Sequence, residues 1–239
     1  MVPSMAAPSH FWAVIPAAGS ARRMGTSSVP KQYLTLRGRA VLEWSAAPFL
    51  SRPDCAGVVV VIASDDRHWP SLDLARNPRV TTTTGGAERC SSVQRGLRSL
   101  QGKVGSDDWV LVHDAARPCL SSHDLQQLLD AVRTDEVGGL LAAPMSDTIK
   151  RADADGRVEA TVDRSSLWRA LTPQMFRYGL LERALSAARN IGVTDEAQAV
   201  ELLGSRPRLV PGSADNIKIT VPEDLQRAEH LLARMEQQR

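Results

Sequence analysis

Gly57-Val58-Val59-Val60-Val61-Ile62-Ala63 places four consecutive valines and an isoleucine between small residues. A run that is apolar at every position has no solvent face, so it predicts a strand buried on both sides. Strands of that kind belong to parallel sheets with helices packed on either face. Upstream, Phe11 to Ile15 is a shorter apolar run ended by Pro16, and Ala40 to Leu50 is helix-like. Downstream, Val80 to Thr84 reads as a third strand, and Glu88 to Leu100 carries Val93, Leu97 and Leu100 at helical spacing. Trp109 to His113 is again strand, Leu125 to Val132 helix, and Val137 to Ala143 strand. Arg206 to Val210 and Asn216 to Thr220 read as late strands. A terminal helix is expected near Pro222, where Thr220-Val221-Pro222-Glu223 has the pattern of a capping box. Strands alternating with helices predict an α/β, doubly wound, mostly parallel sheet, with ligands at the carboxyl ends of its strands. A chain of 239 residues with 43% hydrophobic content is long enough for one substantial core, so a single domain over 1–239 is expected.

One segment departs from the alternation. Pro144 to Arg164 alternates apolar and polar residues through Ile149 and Val158, with Asp155-Gly156 as a hairpin turn signal, and has too few large apolar side chains for a core. Such a hairpin either lies on its own domain or projects as an arm, over approximately 144–166, onto a second subunit, and the arm is the expectation. The formal charge of +2, from 29 basic and 27 acidic residues, argues against a nucleic-acid binder. Cys55, Cys90 and Cys119 are widely spaced and fit a reducing compartment. Met1 to His10 lacks the charged and apolar regions of a secretory leader, and no apolar run reaches membrane-span length, so a cytoplasmic location with no membrane partner is expected.

The chemistry gathers where strands end. After the first strand come Pro16-Ala17-Ala18-Gly19-Ser20-Ala21-Arg22-Arg23-Met24-Gly25 and then Pro30-Lys31-Gln32-Tyr33. Small residues let backbone N–H groups approach an anion, while Arg23 and Lys31 supply charge to phosphoryl oxygens. The loop matches neither G-x-x-x-x-G-K-[ST] nor G-x-G-x-x-G, which leaves Walker-type ATPases and nicotinamide dehydrogenases unsupported. His113-Asp114-Ala115-Ala116-Arg117-Pro118 follows the Trp109 strand. There Asp114 suits a magnesium ion or a substrate hydroxyl, Arg117 suits either a phosphate or an ion pair with Asp114, and His113 suits packing. Gly85-Gly86-Ala87-Glu88-Arg89-Cys90-Ser91-Ser92 joins a strand to a helix and would let a planar base stack on backbone beside Ser92. Thr194-Asp195-Glu196 has the form of a helix N-terminus. Lys218 sits in an otherwise apolar stretch, where a ligand-facing lysine is more natural than a solvated one.

Taken with Thr172-Pro173-Gln174 and Asp215-Asn216-Ile217-Lys218, these pieces resemble, in order and over roughly 11 to 235, the 2-C-methyl-D-erythritol 4-phosphate cytidylyltransferase family. The resemblance implies a Rossmann-like nucleotidyltransferase fold and a homodimer. It implies a magnesium-dependent transfer of the cytidylyl group from CTP to the phosphorylated polyol, giving CDP-methylerythritol in the non-mevalonate route to isoprenoid precursors. It implies that Arg23 and Lys31 stabilise the transition state, that Ala17, Ala18 and Gly19 line the nucleotide, and that Gly86, Ala87 and Ser92 recognise cytosine. Arg164 and Lys218 would position the acceptor phosphate, helped by Asp114, Arg117, Thr148, Thr172 and Thr194, with Thr148 and Arg164 coming from the neighbouring subunit's arm. Some relatives carry a carboxylate where this chain has Ala87, so base recognition there falls to backbone groups and Ser92. Two other readings remain: a ribitol-5-phosphate cytidylyltransferase, and a nucleotide-binding regulator without chemistry.

Overall fold

A computed structural model of the chain describes residues 10–19, 29–189 and 191–237. Arg23 of the first loop lies outside them. Among the described residues the first element is β1 (Phe11–Pro16), and a one-turn 3-10 segment at Lys31–Tyr33 leads into a small hairpin of β2 (Thr35–Leu36) and β3 (Arg39–Ala40). Helix α1 (Val41–Leu50) follows, its first turn closed by the Glu43 carboxylate, which accepts from the Ala40 N–H at 3.0 Å. The valine run forms β4 (Cys55–Ile62) and is followed by β5 (Val80–Thr84), α2 (Arg89–Arg98), β6 (Trp109–Val112), α3 (Ser122–Val132) and β7 (Gly138–Pro144). Then come β8 (Ile149–Ala152), β9 (Val158–Val162), β10 (Trp168–Arg177), α4 (Tyr178–Ala187), α5 (Glu196–Glu201), β11 (Arg208–Pro211) and α6 (Glu223–Gln237).

Seven strands make one sheet in the order β11-β7-β10-β6-β1-β4-β5. All neighbours are parallel except at β10, which runs antiparallel to both β6 and β7. Alternate side chains of each strand serve opposite layers, as the pleat requires. Ala13, Ile15, Val58 and Val60 pack with Leu42 and Phe49 of α1 and Leu125 and Leu128 of α3. Val14, Val59 and Val61 pack with Val93 and Leu97 of α2 and Leu181 and Leu185 of α4. Val58 through Val61 are wholly buried, which is why no polar position interrupts the run. Gly96 lets α2 approach the sheet: a Cβ there would lie 2.6 Å from Cγ1 of Val14.

Three sequence expectations need correction. Strand β10 is missing from the sequence reading because Pro173 argues against a central strand. The structure admits the proline in a break of register against β7, between Ala170 and Gln174. Asn216–Thr220 is no strand but an extended segment outside the sheet. Its alternation reflects burial of Ile217 and Ile219 beside Val41, Trp44, Ala228 and Leu232. The terminal helix starts where expected, yet the residue that closes it is Asp224, one later than predicted. Its carboxylate accepts from the Thr220 N–H (2.8 Å), the Thr220 hydroxyl (2.9 Å) and the Val221 N–H (3.1 Å).

The segment after β7 forms the expected hairpin. Strands β8 and β9 pair antiparallel as a separate two-stranded sheet, and Gly156, at φ +76°, takes the turn position that favours glycine. Most of its side chains are exposed, Val158 at 65%. Among the described residues, no helix is long and apolar enough to cross a membrane.

Candidate active site

A cavity of about 470 Å³ opens at the carboxyl ends of β1, β5 and β6, within the usual size range of small-molecule sites. Its first wall is the backbone of Pro16 to Gly19. Ala17 donates to the Val61 carbonyl at 2.7 Å, continuing the β1–β4 ladder one step past the strand. The buried Gln32 amide then folds the loop, donating to the carbonyls of Ala17 (2.6 Å) and Gly19 (3.2 Å). Tyr33, next in the same turn, donates to Asp66 Oδ2 at 2.6 Å and stacks on His68. Lys31 is thus carried on a turn fastened by both following residues. Its ammonium donates to the Ile219 carbonyl at 2.7 Å, one residue beyond Lys218.

The second wall is the loop from β5 into α2, contributing Gly86, Ala87, Glu88, Arg89 and Ser92. Gly85 presses against the first wall, where a Cβ would lie 2.4 Å from that of Ala18. Ser92 Oγ accepts from the Gly86 N–H at 3.1 Å and donates to the Glu88 carbonyl at 3.0 Å. The one proton of that hydroxyl is therefore spent on holding its own loop.

The third wall is the acidic turn with Lys218 and Thr220. Buried Ser45 of α1 donates to the Ala115 carbonyl at 3.0 Å, Ile219 donates its N–H to Ala116 at 2.8 Å, and Arg117 Nη1 donates to the Asn216 carbonyl at 2.7 Å. At its centre Asp114 receives three cations. Arg89 Nε meets Oδ1 at 2.9 Å, while Lys218 Nζ (2.9 Å) and Arg117 Nε (3.3 Å) meet Oδ2. Burial alone would raise the Asp114 carboxyl, but Arg89, Lys218 and Arg117 together hold it well below the ordinary range. Behind it, the fully buried Glu196 takes the rest of the Arg89 fork at 2.6 and 3.1 Å. Burial pushes the Glu196 carboxyl up, and Arg89 offsets that only in part.

His113 is structural. A carbonyl only accepts, so its Nε2 carries the proton that goes to Arg117 O at 3.1 Å, and Nδ1 accepts from the Thr172 hydroxyl at 2.9 Å. Complete burial pushes the imidazole from 6.5 down to about 4. Between those values the unfolded chain binds a proton that the native one refuses, so stability falls as pH drops through that window. The contribution is about 3 kcal/mol at most. Urea titrations at pH 7 and pH 4.5 should therefore show His113→Gln losing less stability on acidification than the parent. Parallel losses would contradict the neutral, buried assignment.

The structure brings Ala17, Ala18, Gly19, Lys31, Gly86, Ala87, Ser92, Asp114 and Lys218 into one cavity. It moves other expected substrate contacts off the wall. Thr172 is buried behind Asp114, its hydroxyl bonded to His113 and accepting from the Asp114 N–H at 3.1 Å. Arg117 is bound to Asp114 and the Asn216 backbone, the ion-pair alternative. Thr194 is exposed and bonds Gln198 at the start of α5. Thr148 and Arg164 stand exposed at the arm, where Arg164 donates to the Ser146 carbonyl. Asp114 does not fit a direct magnesium ligand, since both oxygens are taken by cations. Among the described residues, no group of three or more His, Cys, Asp or Glu side chains is placed to hold a metal.

Gln32, Arg89 and Glu196 were not singled out from the sequence. Arg89 carries one faint signal: a cation in the first turn of a helix opposes the helix dipole, which suggests its charge is used elsewhere. Glu196 carries none, because an acid in a first turn is ordinary.

The family described as IspD, 2-C-methyl-D-erythritol 4-phosphate cytidylyltransferase, matches residues 11–234. The chain belongs to this family. It is 56% identical over 220 residues to the 2-C-methyl-D-erythritol 4-phosphate cytidylyltransferase of Ectopseudomonas mendocina, covering 91% of this chain and 93% of that protein. It is 54% identical to the enzyme of that name from Pseudomonas aeruginosa PAO1, covering 92% and 94%. A crystal structure of a 4-diphosphocytidyl-2C-methyl-D-erythritol synthase superposes with a TM-score of 0.82 at 40% identity, over 95% of this chain and all of that one. That of the Francisella tularensis cytidylyltransferase gives 0.80 at 33% identity, over 93% and 100%. The cavity just described is thus set in the cytidylyltransferase fold.

Proposed function

We propose that this chain transfers the cytidylyl group of CTP to 2-C-methyl-D-erythritol 4-phosphate and releases pyrophosphate, as its family membership implies. The observation that supports the assignment of roles is the convergence of Lys31 and Lys218 with the Gly86–Ser92 loop on one cavity. The nucleophile is an oxygen of the acceptor's phosphate, which is mostly dianionic at neutral pH because its second pKa is about 6. No general base is needed, in keeping with a His113 locked in the core. The chain's work is to neutralise and align two anions. Lys31, with Arg23, serves the α-phosphate; Lys218 holds the acceptor phosphate; Ala17, Ala18 and Gly19 line the nucleotide. The backbone of Gly86 and Ala87 faces the base, with Ser92 as their brace. A magnesium ion would supply further neutralising charge to the triphosphate, while Asp114, paired with Arg89, Arg117 and Lys218, serves as the anchor of Lys218.

The homodimer, the cytoplasmic location and a single domain with an arm at about 144–166 belong to the same proposal. Thr148 and Arg164 are off their own chain's cavity and on an exposed hairpin, a placement suited to completing the site of a second copy. The test is pyrophosphate release with CTP, magnesium and each acceptor in turn. Methylerythritol phosphate should support turnover and ribitol 5-phosphate should not; the reverse favours the ribitol enzyme, and silence with both favours a regulator. In the same assay Arg164→Ala should raise the acceptor KM by about tenfold, the worth of one charged hydrogen bond, and leave the CTP KM within about twofold. An equal rise for both substrates would remove Arg164 from the acceptor pocket.

A further inference from the structure

Glu196 touches no part of the cavity, yet it ends a chain of alternating charges that reaches the cavity's acceptor side. Its carboxylate, 0% exposed on α5, grips Arg89 of α2 through two hydrogen bonds. Arg89 spends its remaining Nε on Asp114 Oδ1 at 2.9 Å, and Asp114 Oδ2 holds Lys218 Nζ at 2.9 Å. Four elements remote in sequence are tied in this way: α5, the α2 N-terminus, the acidic turn and the extended segment carrying Lys218. Burying a carboxylate fully costs several kcal/mol before pairing, and an apolar side chain would fill the position without that cost. What Glu196 supplies that packing cannot is a fixed direction for the Arg89 fork. With both terminal nitrogens held from behind, Arg89 presents only Nε to Asp114. That leaves Oδ2 for Lys218 and Arg117. Freed of Glu196, the guanidinium can turn and take both Asp114 oxygens, since a bidentate pair is the stronger geometry, and Lys218 is then displaced.

We propose that Glu196 is a positioning residue for Lys218, acting through Arg89 and Asp114, so that a side chain outside the cavity sets affinity for the acceptor phosphate. The assignment of that phosphate to Lys218 rests on the proposed function; the relay itself rests on the geometry. Glu196→Gln keeps the volume and removes the charge. It should raise the acceptor KM by about tenfold, the scale of one charged hydrogen bond, with kcat and the CTP KM each within about threefold. In a Lys218→Ala background the same substitution should add less than about twofold, because coupled residues fail to add. Lys218 acetylation by a limiting amine reagent, followed by mass spectrometry against exposed Lys103, reads the relay without turnover. Lys218 should react at least about threefold faster in Glu196→Gln once its ammonium leaves Asp114. Glu196→Asp, too short to span the fork, should lie between the two and serves where the Gln variant folds poorly. Unchanged Lys218 reactivity, or an equal rise in both KM values, overturns the relay. Raised reactivity with an unchanged acceptor KM keeps the relay and overturns only the assignment of the acceptor phosphate to Lys218.

Discussion

Arg89→Met is expected to lower folding stability by about 3–5 kcal/mol, the cost of leaving a buried charge without its partner. The two carboxylates it serves do not suffer equally. Asp114 keeps Lys218 and Arg117, whereas Glu196, fully buried, has no other ion pair among the described residues. Methionine replaces most of the aliphatic volume, so the loss is electrostatic rather than a cavity effect. The unpaired Glu196 would then take up a proton on folding. Its native pKa, already raised by burial, rises further above the unfolded value near 4.3. A carboxyl with a raised native pKa contributes stability below its unfolded pKa and loses it as pH climbs towards the native one. The deficit of Arg89→Met should therefore be larger at pH 8 than at pH 5, measured as denaturant midpoints with circular dichroism. Adding Glu196→Gln to the same chain should recover part of it. A loss below about 1 kcal/mol, or a double variant no more stable than the single, would show that the pair is not the buried strut inferred from its distances.

That network also marks where sequence reading stops. The alternation of elements was legible because burial on both faces leaves a continuous apolar run, as in Val58 to Val61, and because helical spacing of Val93, Leu97 and Leu100 survives in any context. Lys31 and Lys218 were legible because a cation in a small-residue loop or an apolar segment has no cheap alternative. Strand β10 was not, since Pro173 is forbidden in a regular ladder and only the three-dimensional register reveals the break that admits it. The family resemblance implies a substrate contact for Thr172, yet its hydroxyl is bonded between His113 and the Asp114 N–H. Sequence order does not say which side of a polar residue faces the ligand. Arg89 and Glu196 are 107 positions apart, and nothing local to either announces the other.

Lys31→Ala is expected to reduce kcat by roughly 10²–10³, the effect of removing one preorganised charge from a transition state. The structure separates this from a folding defect. Lys31 is half-buried at the cavity edge, and its turn is held by Gln32 and Tyr33, whose partners Ala17, Gly19 and Asp66 are untouched by the change. The loss of the bond to the Ile219 carbonyl, worth about 1 kcal/mol, should move the melting temperature by only a few degrees. The same bond ties the Lys31 ammonium to the backbone beside Lys218, so the two cations are fixed relative to each other before either substrate arrives. Preorganisation of that kind lowers the barrier because charge that develops as the α-phosphorus is attacked meets a cation already in place. Lys31→Arg keeps the charge but enlarges and flattens the head group, and should recover no more than about a tenth of the parent rate, since a misplacement of about 1 Å can cost 10². Single-turnover pyrophosphate release at saturating CTP is the measurement. A Lys31→Ala protein that turns over within about threefold of the parent would take the lysine out of the chemistry and leave the α-phosphate to the arginines of the first loop.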